Sequence, residues 1–198
     1  MKPLLPLLFL VQFLSWSAMF CLWVYAVPVI AASRPFNEGY ASAATTAASG
    51  FALYAVLGAC IAFAGPRLIG RFGAGATHGA SLIAASAGMM LFGRFPFGFA
   101  LLSAFTLIGV GWASMSSIPY ALASAAAPEG GGAKHMRVFA FSTVVPQVAV
   151  TLLLASLGPR LALWPPSLVI MAGSAAMLLS GCVSLIFQHR MNVIITDW

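Results

Sequence analysis

The sequence predicts an all-α membrane protein in which six helices cross a lipid bilayer. Three observations carry that reading. Of the 198 residues, 62% are hydrophobic and only 6% are charged, against roughly 25% charged in soluble domains, so the chain lacks the polar surface that a water-facing fold needs. The few charges divide the sequence into six uncharged stretches, each near or above the roughly 20 residues that a spanning helix requires. No segment sustains the apolar–polar alternation of a membrane barrel strand.

Taken in order, the predicted spans cover about residues 4–32, 41–64, 74–93, 98–126, 138–158 and 165–187, as a single bundle over 1–198. The first follows Met1-Lys2 as a signal peptide would. Its apolar run is about twice the length of a signal h-region, and Gln12, Trp16, Trp23 and Tyr25 suit a permanent helix. The second carries Tyr54; the fourth holds Trp112, Ser116 and Tyr120. The fifth aligns Thr143, Gln147 and Thr151 at successive four-residue steps, with Pro146 beside the amide. The interiors of the third and sixth contain no Gln, Asn, Trp or Tyr. Bland spans at positions three and six predict two related three-helix units, each turning one helix to lipid.

An even number of crossings puts both termini on one side. Lys2, Arg67, Arg71, Lys134, Arg137 and Arg190 fall on that side, and Arg34, Arg94 and Arg160 on the other. Cytoplasmic loops collect Lys and Arg, so both termini are predicted to be cytoplasmic in an integral, multi-pass plasma- or inner-membrane protein.

Several functions are disfavoured. The basic residues are scattered, which gives no footprint for nucleic acid. Cys21, Cys60 and Cys182 lie in apolar stretches without paired spacing, so no metal, disulfide or cofactor is predicted. No metalloprotease, hydrolase or Walker motif is present, and the glycine-rich stretch from Glu129 to Lys134 lacks P-loop spacing and reads as a cytoplasmic loop. The expectation is therefore not an enzyme. Glu38 and Glu129 read as loop residues, and His78, His135 and His189 as boundary residues. The span interiors then hold no ionisable side chain, and a proton-coupling group is expected outside this chain.

Helical spacing identifies the candidate site. Gln12, Trp16, Met19 and Trp23 share one stripe of the first span; Gly109, Trp112, Ser116 and Pro119 share one of the fourth, with Tyr120 at its edge. A buried amide in lipid is costly without a partner, so Gln12 and Gln147 are predicted to face the bundle interior or a wet cavity. Indoles beside amides and hydroxyls suit a neutral polyhydroxylated ligand, whose apolar ring face packs on the aromatic plane. Gln12, Trp16, Tyr54, Trp112, Ser116, Tyr120, Thr143 and Gln147 are the predicted substrate-binding residues.

Longer motifs carry a resemblance. Gln12-Phe13-Leu14-Ser15-Trp16 with Leu22-Trp23-Val24-Tyr25 and Pro28 resembles the seventh helix of the sucrose and disaccharide:proton symporters, of the glycoside–pentoside–hexuronide type, in the major facilitator superfamily. Gly50-Phe51-Ala52-Leu53-Tyr54 is similar to the start of their eighth helix. Gly109-Val110-Gly111-Trp112-Ala113-Ser114 with Ile118-Pro119-Tyr120-Ala121-Leu122 is similar to the tenth-helix signature, and Val144-Val145-Pro146-Gln147 to the eleventh-helix motif. Gly70 stands where the superfamily loop motif usually has Asp, and Arg137 and Ala140 where the family has Gly and Asn. The resemblance implies the C-terminal six-helix half of a transporter that moves a sucrose- or maltose-like glycoside by alternating access, proton-coupled when complete.

Alternating access needs two bundles around a central site. The implied partners are a small-molecule sugar, the bilayer, and an N-terminal transporter half or a second copy of the chain. A truncated product is the favoured expectation, with Met191–Trp198 as an arbitrary tail. The alternative is a non-transporting membrane protein that assembles with or regulates a partner through small-residue faces such as Gly58 and Ala62.

Overall fold

Lipid offers no hydrogen bonds, so an apolar chain must satisfy its backbone internally, and helices do so segment by segment. The computed structural model describes residues 4–33, 39–128 and 131–196, with side chains as far as Asn192. Lys2, Arg34, Glu38 and Glu129, which entered the topology and loop expectations, lie outside the described residues. The described residues form eight helices and no strand: α1 (Leu4–Ala32), α2 (Gly39–Phe72), α3 (Ala74–Arg94), α4 (Gly98–Met115), α5 (Ile118–Ala125), α6 (Gly132–Leu161), α7 (Ser167–Ile186) and α8 (Gln188–Thr196). Five helical runs are long and apolar enough to cross a membrane: α1, α2, α4 with α5, α6 and α7. The chain is an integral membrane protein by that measure.

Three local expectations need correction. The fourth span is not one helix, because it breaks at Ser116–Ser117. Pro119 enters the next helix near its start and removes a backbone donor, while Ser117 Oγ donates to Ala113 O at 2.7 Å. The stretch after Met191, expected as an arbitrary tail, is helical as far as Thr196, where α8 ends, and Asn192 Oδ1 accepts the Gly75 amide at 3.1 Å. Gly132–Lys134, expected in a loop, opens α6.

The third span also departs from expectation. α3 does not turn to lipid but packs along α7 and α4, its most extensive neighbours. Small side chains allow this. A Cβ on Gly79 would lie 2.7 Å from Leu185 Cγ and 2.9 Å from Gly181 O. A Cβ on Gly181 would meet Gly79 O at 2.9 Å. The two helices therefore approach backbone to backbone, as small residues permit in lipid. Ser86 Oγ donates to Ser174 O at 2.8 Å and Ser174 Oγ returns a bond to Ser86 O at 3.0 Å. Ser180 Oγ ties α7 to α1 through Val11 O at 2.8 Å.

α2 turns into α3 at Gly73, whose φ of 84° is left-handed and suits a residue without Cβ. α8 packs beside this turn and against α5. The turn, α5 and α8 thus occupy one end of the bundle. Around α1, both α2 and α6 make contact, but they make no substantial contact with each other. They are also the least buried of the five spanning runs.

The α3–α7 crossing gives a stability test. Gly79→Ala and Gly181→Ala are each expected to cost about 1–3 kcal/mol through overpacking, read as a lower unfolding temperature of the detergent-purified chain. Gly65→Ala, with open space around its Cβ position, is the control and should not lower it.

Candidate functional site

The break between α4 and α5 brings three elements together. Gln12 of α1 is fully buried, and its Nε2 points to Met115 O at the end of α4, 3.5 Å away. Ser15 Oγ sits 3.5 Å from the Gln12 Oε1 and donates to Val11 O at 2.9 Å. Beyond the break, the Tyr120 hydroxyl of α5 lies 2.6 Å from Thr143 Oγ1 of α6. One turn further along α6, Gln147 Nε2 donates to Thr143 O at 3.1 Å, and Thr151 Oγ1 donates to Gln147 O at 2.8 Å. Gln147 is half-buried and turned back on its own helix. Ser116 is exposed at the break itself.

A second group is aromatic. Trp16, Trp23 and Trp112 form a triangle with ring centroids 5.7–5.9 Å apart, every pair edge to face. Tyr54 of α2 joins Trp112 at 5.7 Å, and Phe51, Phe105 and Phe92 continue the chain of rings at 5.7, 5.4 and 5.4 Å from Tyr54 inward. Edge-to-face pairs are the arrangement that ring quadrupoles favour, worth about 0.5–1.5 kcal/mol each beyond burial. Trp16 and Tyr54 are enclosed, whereas Trp23 and Trp112 are half-buried and keep part of their rings open. The Trp16 indole N–H is buried without an acceptor. Gly58, expected on an outer docking face, instead points inward, where a Cβ would lie 3.1 Å from Trp112 Cδ1.

The eight predicted site residues therefore fall into three sets. Trp16, Tyr54 and Trp112 meet in the aromatic cluster. Tyr120 and Thr143 are bonded, with Gln147 on the same helix. Gln12 and Ser116 flank the α4 terminus. The second and third sets flank the helix break, where α1, α4, α5 and α6 supply amide and hydroxyl groups.

One polar group escaped the sequence reading. His78 lies near the start of its span, as expected, yet it is fully buried in the second turn of α3, its Nδ1 2.7 Å from Ser114 Oγ. Its Nε2 has no hydrogen-bond partner, nor does the buried Thr77 Oγ1. Beside them lies a largely apolar cavity of about 200 Å³, walled by α2, α3 and α4–α5 and touched by Thr77, Ser81, Ser114 and Ser117. An ionisable side chain does sit inside the bundle, contrary to expectation. Its signal in the sequence was faint. Thr77-His78-Gly79 lies only a few residues from the start of an apolar run, within a stretch of small residues that permits close packing.

With this geometry in hand, comparison with known proteins adds nothing further: no family model, no curated protein and no solved structure matches the chain.

The Tyr120–Thr143 bond ties α5 to α6 and is measurable. A double-mutant cycle with Tyr120→Phe and Thr143→Val is expected to return a favourable coupling of about 0.5–1.5 kcal/mol, as interhelical hydrogen bonds in membranes do. Unfolding of the purified variants in mixed micelles checks it, and a coupling of zero would remove this bond from the site.

Proposed function

We propose that the chain is one bundle of a two-bundle solute transporter of the major facilitator type, working by alternating access. Its solute is a sucrose- or maltose-like glycoside, and the complete transporter couples uptake to protons. The observation that carries this reading is the break at Ser116–Ser117, inside an apolar run long enough to cross a membrane. Interrupted spans free backbone groups where a polar ligand binds, and they gather at transporter sites. Here Gln12 reaches Met115 O beside Ser116, Tyr120 bonds Thr143 one turn past the break, and Gln147 follows on α6.

In this reading α3 is a sixth crossing. Its hydropathy is held down by His78, Ser86 and the glycines, which are turned inward against α4 and α7 rather than toward lipid. Six crossings return both termini to the cytoplasmic side and form two three-helix units, α1–α3 and α4/α5–α7. The half-buried Trp112 and Trp23 offer ring faces to the sugar, and Gln147 leaves its own helix to bind a hydroxyl. The buried His78 imidazole supplies a titratable group within the bundle. α2 and α6, least buried in the single bundle, meet the other bundle.

Tryptophan emission of the chain reconstituted in liposomes tests the reading. Sucrose or maltose is expected to change it saturably, and Trp112→Ala and Gln147→Ala are expected to abolish binding while the protein still assembles. A flat response to both sugars, or unchanged binding in both variants, would overturn it.

A further inference from the structure

We propose that the cavity between α2, α3 and the α4–α5 junction binds an uncharged, lipid-borne molecule of about alkylphenol size that carries a single hydroxyl and enters hydroxyl first. Binding there does not require that the chain transport anything, so this site stands apart from the sugar reading above.

The cavity has an apolar mouth and a polar floor. Ala62, Pro66 and Leu68 of α2 and Ala121 of α5 are exposed at its rim, whereas Thr77 of α3 and Ser114 of α4 are buried in its wall. None of the described lining residues is charged, so a charged ligand would lose its hydration with no partner in return. Three of the four lining hydroxyls are already bonded. Ser81 Oγ donates to Thr77 O at 2.8 Å, and Ser117 Oγ donates to Ala113 O at 2.7 Å. Ser114 Oγ lies 2.7 Å from His78 Nδ1; with the imidazole proton on Nε2, the serine donates and its oxygen remains an acceptor. Of the four, only the Thr77 hydroxyl is buried without a partner. Threonine in a helix has two χ1 states, so Thr77 can turn its hydroxyl to the wall in place of its methyl. The floor thus calls for one group that accepts from Thr77 and donates to Ser114, and a hydroxyl does both.

Volume fixes the rest of the ligand. An apolar cavity of about 150 Å³ holds benzene, and this one, at about 200 Å³, has room for a ring with a short substituent and the hydroxyl. Water suits it less, because a buried water needs roughly two to four polar partners and most of this wall is Ile, Leu, Val, Ala, Gly and Pro. A lipid chain entering methyl end first would leave Thr77 unmet. The depth also agrees. Arg67 and Arg71 are exposed near the end of α2 and mark the membrane surface there, where molecules with an apolar body and one polar tip gather. The wall spans the helix break as well. Val110 and Ala113 come from α4, and Ile118 and Ala121 from α5. An occupant therefore touches both sides of Ser116–Ser117 and favours the angle at which both walls meet it.

Photolabelling in liposomes tests it. An alkylphenol bearing a diazirine is added to the reconstituted full chain, and its adducts are located by peptide mass spectrometry. Adducts are expected between Ile61 and Ile69 of α2 and between Val110 and Ala121. 4-Propylphenol is expected to abolish them saturably. Propylbenzene, which lacks the hydroxyl, should need a roughly two- to tenfold higher membrane concentration, the worth of one hydrogen bond. Thr77→Val removes only the unpartnered hydroxyl, so the variant should fold as the unaltered chain does and erase that difference. Gly65→Leu, at a lining position with open space around its Cβ, should fill the cavity and lose the adducts. Ser81→Leu, from the α3 wall, is a second plug.

Adducts spread evenly over the exposed faces of α2 and α6, adducts that neither plug removes, or propylbenzene competing as well as propylphenol on the unaltered chain would overturn the proposal. So would a preference for the phenol that survives Thr77→Val undiminished. The absence of any saturable adduct, as a cavity holding only water or a lipid chain would give, also overturns it.

Discussion

A buried polar group in this chain finds its partner inside the protein or, like Trp16 Nε1, Thr77 Oγ1 and His78 Nε2, goes without one, because the surrounding lipid supplies none. With charged residues at 6% of the sequence, the polar work falls to Ser, Thr, Gln, Tyr and one histidine. Most hydroxyls settle the debt locally. Thr45, Ser49, Ser81, Thr106 and Thr151 return a bond to the carbonyl four residues back on their own helix. Those bonds ask nothing of the tertiary structure. The few that cross between helices set the architecture: Ser86 with Ser174, Ser180 with Val11, His78 with Ser114 and Tyr120 with Thr143.

The same constraint explains where small residues lie. A serine bond between helices is short only if the backbones are close, and α3 and α7 achieve this through Gly79 and Gly181. Close packing and polar satisfaction are thus one device at the α3–α7 contact. α4 repeats it. A Cβ on Gly109 would lie 2.9 Å from Tyr54 O, and one on Gly88 of α3 would lie 2.7 Å from Ala104 O. The rings of Trp16, Trp23 and Trp112 then fill the space between α1 and α4, beside the Gly58–Gly109 approach of α2 to α4.

This division marks what was legible beforehand. Spans can be read from apolar length, and a helix over Leu4–Ala32 occupies the first of them. Helical spacing marks one stripe with Trp16 and another with Trp112, and these two rings meet, with Tyr54 beside them. Three features resisted. The α4–α5 break leaves hydropathy almost untouched, since Ser116 and Ser117 are only mildly polar and Pro119 acts through a missing donor. α8 is too polar to announce itself in a scan for apolar runs, yet it is held by one asparagine bond to Gly75. α3 looked bland because it lacks Gln and Trp. Its polarity is carried by Ser and His, which become visible only when α4 and α7 are in place.

The break in the fourth span meets a further demand of the same lipid surroundings. A helix that stays whole has no polar backbone to offer, so a polar ligand at membrane depth requires an interruption, and the cost of the freed groups is met by neighbours such as Gln12 and Ser117. Such a site must also be kept from lipid, and a bundle that leaves α2 and α6 so open does not do this by itself. Polar side chains therefore gather at the break between α4 and α5, while α2 and α6 keep the most open faces of the bundle.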